Sequence, residues 1–102
     1  MIRGGMVTLG VTDVDAAVRF YIEELGMKLV EARDGVSIID TGEGFRIALA
    51  KGDAKANVTL FTKLPMKDAI LILENRGVKV STTSDGATFT APDGHTFTLL
   101  QG

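Results

Sequence analysis

Apolar residues along this chain follow two periods. Val7, Leu9 and Val11 alternate with Met6, Thr8 and Gly10, which predicts a half-buried strand over 6–11. Val14, Ala17, Val18, Tyr21 and Leu25 then recur at helical spacing as one apolar stripe. Thr12 and Asp13 stand before the stripe as cap residues, and Gly26 stands after it, where a helix ends in a left-handed residue. The period then returns to strands, over 27–33 and 36–40. Asp34-Gly35 between them reads as a tight hairpin, and Gly42-Glu43-Gly44 as a second turn before Phe45, Ile47 and Leu49 alternate in a fourth strand. This half of the chain reads β-α-β-β-β.

The other half repeats the order. Val58, Leu60 and Thr62 open it. Pro65 suits a first helical turn, Met66, Ala69, Ile70 and Leu73 form the stripe, and Gly77 closes it. The run Ile70-Leu71-Ile72-Leu73 would pass for a buried strand in isolation, but the flanking Pro and Gly favour a helix. Strands are predicted over 78–83, 87–90 and 96–100, separated by Asp85-Gly86 and Pro92-Asp93-Gly94. Shifted by 51 positions, Met6–Gly35 lies on Asn57–Gly86 without a gap. Val7-Thr8-Leu9, Glu23, Gly26, Lys28 and Asp34-Gly35 then meet identical residues. Beyond the second Asp-Gly the offset drops to 50, where Leu49 meets Leu99. The expected organisation is one domain over 1–102, with a module over 1–50, a small polar linker over 51–56 and a module over 57–102.

Strand alternation sorts the side chains. Met6, Thr8 and Gly10 point away from the helix-covered face, as do Arg46, Ala48 and Ala50. Their counterparts are Asn57, Thr59 and Phe61, then Thr96, Thr98 and Leu100. Paired modules would curl these uncovered faces into a shared cup, a candidate ligand pocket. The same face could instead pack against another subunit or simply face water.

Composition narrows the chemistry. The 102 residues include no cysteine and one histidine, which excludes thiolate sites and any two-histidine metal site within one chain. Net charge is −2, against partners that require a basic face such as nucleic acid or anionic membrane. No apolar run approaches the roughly 20 residues of a membrane span, and no signal-like stretch opens the chain, so a cytoplasmic protein is expected. Asp13 and Asp15 read as a helix cap and a first-turn acid, and Glu23 and Glu24 as late-helix surface acids. Tyr21 reads as core. The hydroxyl run Ser81–Ser84 has no base within sequence reach. His95, between Gly94 and the last strand, reads as an exposed turn residue. Arg46 is the one charge placed in the cup, to hold an anionic ligand or to pair with an acid across an interface.

The stretch Val7-Thr8-Leu9-Gly10-Val11-Thr12-Asp13, continuing to Phe20-Tyr21 and Leu25-Gly26-Met27, resembles the vicinal oxygen chelate superfamily. That superfamily includes glyoxalase I, bleomycin-resistance proteins and extradiol dioxygenases. Ala91-Pro92-Asp93-Gly94-His95-Thr96-Phe97-Thr98-Leu99-Leu100-Gln101 resembles its closing turn and strand, with His95 where Asn is usual. The resemblance implies an α+β fold of two βαβββ modules, forming a curved eight-stranded mixed sheet with two helices outside, and a homodimer. Its enzymes hold a divalent metal through His in the first strand, Glu in the fourth, His or Glu in the fifth and Glu in the eighth. Carried over one by one, these positions fall on Met6, Ala48, Asn57 and Thr98, none of them a histidine or carboxylate. The expectation is therefore a small-molecule binder without metal or other cofactor and without catalytic residues. Its contacts would come from Met6, Thr8, Arg46, Ala48, Asn57, Thr59, Phe61, Thr98 and Leu100. A lyase, isomerase or dioxygenase, or a non-catalytic dimerisation module, is the alternative. A ferredoxin-like α+β sandwich is the rival fold.

Overall fold

The computed structural model describes residues 5–53 and 55–102; Ala54, inside the expected linker, and the first four residues of the expected first module lie outside them. Ten elements follow the expected order. They are β1 (Gly5–Val11), α1 (Val14–Glu23), β2 (Lys28–Arg33), β3 (Val36–Asp40), β4 (Phe45–Lys51), β5 (Asn57–Thr62), α2 (Met66–Asn75), β6 (Val80–Thr82), β7 (Gly86–Thr90) and β8 (Thr96–Gln101). The chain divides into two compact units at residues 55 and 56. Lys51, expected in the linker, is the last residue of β4, and the Gly52 N–H that follows it donates to the Val11 carbonyl at 3.0 Å.

The eight strands expected in one sheet are hydrogen-bonded as two sheets of four, ordered β1-β4-β3-β2 and β5-β8-β7-β6. In each sheet the first pair is parallel and the others are antiparallel. The helix joins the strands at the two margins of its sheet and so crosses one face. The second hairpin arm then returns beside the opening strand.

In the first unit, Ala17 and Tyr21 of α1 are buried together with Leu9, Val11, Ile39, Ile47 and Leu49 from the helix-side positions of β1, β3 and β4. Asp13 caps α1 by accepting the Ala16 N–H at 3.1 Å, as the sequence predicts. Gly26 ends the helix at φ 72°. In the second unit, Ala69 and Leu73 of α2 are buried with Val58, Ala87, Phe89, Phe97 and Leu99. Phe89 and Phe97 stack with ring centroids 5.2 Å apart. Pro65 precedes α2 and stays extended, at φ −53° and ψ 142°, so the predicted first-turn proline is the residue before the helix.

The structure corrects two further expectations. His95 is buried, at 1% exposure. The turn ends one residue earlier than expected: Asp93 Oδ1 accepts the His95 N–H at 3.0 Å and Ala91 N–H donates to the His95 carbonyl at 2.8 Å. His95 therefore already belongs to the alternation of Phe97 and Leu99 and shares their helix-side parity.

The second correction concerns the repeat. Leu29 pairs with Ile39 and Glu31 with Ile38, so Val30 is an extra residue bulged out of β2. In the other unit Val80 pairs with Phe89 and Ser81 with Thr88, with no such residue between. The offset thus falls from 51 to 50 at Val30, not after Gly86. Gly86, opposite Leu100, is the counterpart of Val36, opposite Ala50. It is not the counterpart of Gly35, which turns the first hairpin at φ 75°. A Cβ at Gly86 would run into the Leu99 carbonyl oxygen, whereas one at Gly35 would meet nothing.

Candidate functional site

The nine residues singled out from sequence lie on the helix-free faces of the two sheets, four on the first and five on the second. Met6 stands opposite Arg46 and Thr8 opposite Ala48 on β1 and β4. Thr59 stands opposite Thr98 and Phe61 opposite Leu100 on β5 and β8, with Asn57 opposite Thr96. Within each sheet, strand parity brings the predicted residues together as neighbours on one face.

Their accessibility differs. Met6 is 55% exposed and Phe61 68%, large apolar side chains left in solvent. Thr8, Arg46, Asn57 and Thr59 are exposed, while Thr98 and Leu100 are half-buried. Ala48 is buried, its methyl flanked in register by Thr8 and Ile38. It shapes the face more than it offers contact.

The antiparallel register adds groups that the sequence reading missed. Asp40 lies opposite Arg46, and its Oδ2 accepts from Arg46 Nε at 3.4 Å, while the Gly42 N–H donates to Oδ1 at 2.6 Å. The expected lone cation therefore has a carboxylate partner in its own sheet. The signal is in the spacing: Asp40 and Arg46 each stand two residues from the Gly42-Glu43-Gly44 turn, and a hairpin pairs such residues. Lys28 follows Asp40 in the same row, and Glu31 and Arg33 continue the face, bonded to each other at 2.8 Å. In the second sheet the missed groups are Ser81, Thr88 and Thr90. The signal for the two threonines is Thr-Phe-Thr, which occurs at 88–90 and again at 96–98.

The four family metal positions can now be tested as a donor set. Met6 and Ala48 are diagonal neighbours on β1 and β4, and Asn57 and Thr98 are diagonal neighbours on β5 and β8. They are one pair of positions given twice by the repeat. They present a thioether, a methyl, an amide and a hydroxyl. A methyl has no lone pair, and the other three are neutral weak donors, so this set does not fit a divalent first-row metal. Among the described residues, no three His, Asp or Glu side chains gather at any place where they could hold a metal ion.

A cleft of about 600 Å³ opens elsewhere in the first unit, between the start of α1 and the β2–β3 hairpin, lined by Asp13, Asp15, Arg33 and Ser37 among others. It includes none of the nine residues. Asp13 is committed there to its cap, and Arg33 to Glu31.

Solved structures share this architecture. TnmS3, an antibiotic binding protein from Streptomyces sp. CB03234, superposes with a TM-score of 0.84 at 23% identity, over 99% of this chain and 96% of that one. A glyoxalase/bleomycin resistance protein from the same Streptomyces strain gives 0.80 at 23% identity, over 98% and 100%. A superfamily member from Sphaerobacter thermophilus DSM 20745 gives 0.81 at 21% identity, over 100% and 98%. These likenesses define the fold class: two βαβββ units of the glyoxalase type. No curated protein matches the chain. The model of the Glyoxalase/Bleomycin resistance protein/Dioxygenase superfamily matches residues 4–99, and the chain belongs to that superfamily.

Proposed function

We propose that this protein binds a small organic molecule on the helix-free faces of its sheets and does so without a metal ion. The observation that carries the reading is the donor set at Met6, Ala48, Asn57 and Thr98. The superfamily's enzymes use a Lewis acid to polarise two oxygens, and a thioether, a methyl, an amide and a hydroxyl cannot hold one strongly. In the same places the chain offers the materials of recognition. Met6, Phe61 and Leu100 supply apolar contact, Asn57, Thr8, Thr59 and Thr98 supply hydrogen bonds, and Arg46 with Asp40 supplies oriented charge. Ala48 keeps the middle of its face low. The antibiotic-binding relative of the same fold supports this reading over catalysis. The two units act as one domain, and the protein works as a homodimer in the cytoplasm. No helix among the described residues is long and apolar enough to cross a membrane.

Thermal unfolding of metal-stripped protein tests the proposal, with Ni²⁺, Zn²⁺, Mn²⁺ and Fe²⁺ in one series and a panel of antibiotics in another. A ligand at a hundred times its Kd adds about 2.7 kcal/mol, a shift of several degrees for a domain of this size. Stabilisation by an organic compound and none by metals is expected. A saturable metal shift reversed by chelator overturns the reading in favour of a metal-dependent enzyme. Light scattering after gel filtration tests the dimer, and a monomer mass at high concentration would refute it.

A further inference from the structure

The second sheet carries a hydroxyl row across its whole width. In register, Thr59 of β5, Thr98 of β8, Thr88 of β7 and Ser81 of β6 stand side by side on the helix-free face. Neighbouring strands lie about 4.8 Å apart, so the hydroxyls recur at that spacing. A second row of Asn57, Thr96 and Thr90 runs beside it, and a third of Phe61, Leu100 and Gly86 lies on its other side. Among the strand residues of this face none is charged; Lys79 precedes β6.

These side chains are available. Thr41 and Thr62 donate their hydroxyls to backbone carbonyls, at 3.0 and 3.4 Å, and Thr83 accepts the Gly86 N–H at 3.0 Å. The seven polar side chains of the two rows take part in no side-chain hydrogen bond among the described residues. Ser81, Thr59, Asn57, Thr96 and Thr90 are exposed, and Thr88 and Thr98 half-buried. Threonine is common in strands because its branched side chain suits the pleat, which accounts for one or two such residues. It does not account for an uncharged polar band with an exposed phenylalanine along one border.

We infer that this face recognises a neutral, hydroxyl-bearing ring attached to an apolar ring, the chemistry of an aryl glycoside or a polyol-substituted polycycle. The inference rests on the proposed ligand-binding role and names the ligand class. A threonine hydroxyl both donates and accepts, so its best complement is a group that does both, which is another hydroxyl. A carboxylate or ammonium lying on the row of Thr59, Thr98, Thr88 and Ser81 would lose water and find no opposite charge in that row. Phe61 and Leu100 supply the apolar border on which the second ring rests. The matching rows of the first sheet are Met6-Arg46-Asp40-Lys28 and Thr8-Ala48-Ile38-Glu31, which carry charge and a smaller hydroxyl complement.

The test uses the full chain, backbone-amide NMR and two matched probes, para-nitrophenyl glucoside and its anionic analogue para-nitrophenyl glucuronide. The glucoside is expected to shift amides of β5, β7 and β8 saturably, and the glucuronide to bind about tenfold more weakly or less. Thr88→Val with Thr98→Val keeps shape and strand preference while removing two hydroxyls; it should weaken the glucoside about tenfold, and serine at both positions should restore it. Unchanged amide spectra outside the face confirm that the variants fold. Equal binding of the two probes, indifference to the valines, shifts confined to β1 and β4, or no response to either probe each overturns this inference. Only the last is shared with failure of the broader reading, and the antibiotic panel separates the two: a compound that stabilises the protein without engaging this face leaves ligand binding standing and removes the hydroxyl-ring assignment.

Discussion

The two units share one plan and differ in how their matching faces are furnished. At the same register positions the first sheet sets Arg46 against Asp40 and Glu31 beside Arg33, whereas the second sets threonine against threonine. Their helix-side faces diverge as well. Tyr21 fills the first core with an edge-on contact to Phe20, and a stacked Phe89–Phe97 pair with buried His95 fills the second. Duplication supplies two copies of a frame, and the frame leaves both faces free to change. What both halves keep is backbone: the strand order, and the register of the two inner strands.

Substitutions can break or sharpen that contrast. The largest effect is expected at Gly86. Its Cβ has a backbone oxygen in its place, which cannot rotate away, so Gly86→Ala should destabilise the fold by about 3 kcal/mol or more. The sequence twin Gly35 has open space and only an unfavourable φ, so Gly35→Ala should cost about 1–2 kcal/mol. Urea unfolding of both variants settles the pair, and equal losses would refute the structural non-equivalence of the two glycines. Next comes the helix cap. Asp13→Ala should lower stability by about 1 kcal/mol, while Pro65→Asp, at a helix start with no side-chain cap, should raise it by a fraction of that. A loss at both positions would show that the two helix starts do not differ as described. Deleting Val30 should convert the first margin to the pattern of the second at less than about 1 kcal/mol, with inner-strand amide shifts unchanged. Loss of the cooperative transition would contradict this. The smallest effect belongs to Asp40→Asn. The Arg46 side chain is 48% exposed, so the ion pair contributes about 0–1 kcal/mol and should vanish in high salt.

Much of this was legible in the sequence because period two and period 3.6 are set by local geometry. The alternation in 6–11 and 96–100 sorted Met6, Thr8, Thr98 and Leu100 to one face without any knowledge of pairing. Partners were harder, since they depend on where turns begin and end. Asp40 does not show in the period of a single strand, because only the hairpin places it opposite Arg46. Pro92-Asp93-Gly94 is a strong turn signal that draws His95 in with it, whereas the His95 N–H, donating to Asp93 Oδ1, closes the turn a residue early. The false match of Gly35 with Gly86 came from identity. Two Asp-Gly pairs lay at one offset while the hydrogen-bond register had already moved at Val30. Identity counts letters, and register counts residues between ladder bonds.

That extra residue sits in a strand with a single neighbour. In an inner strand, one added residue would turn every later side chain over and exchange the inside of the sheet for the outside. At the margin the bulge absorbs the change, and β3 and β4 keep the frame that β7 and β8 keep. The outermost strand serves as an expansion joint: copies of this module can drift in length there while what each sheet displays stays in step.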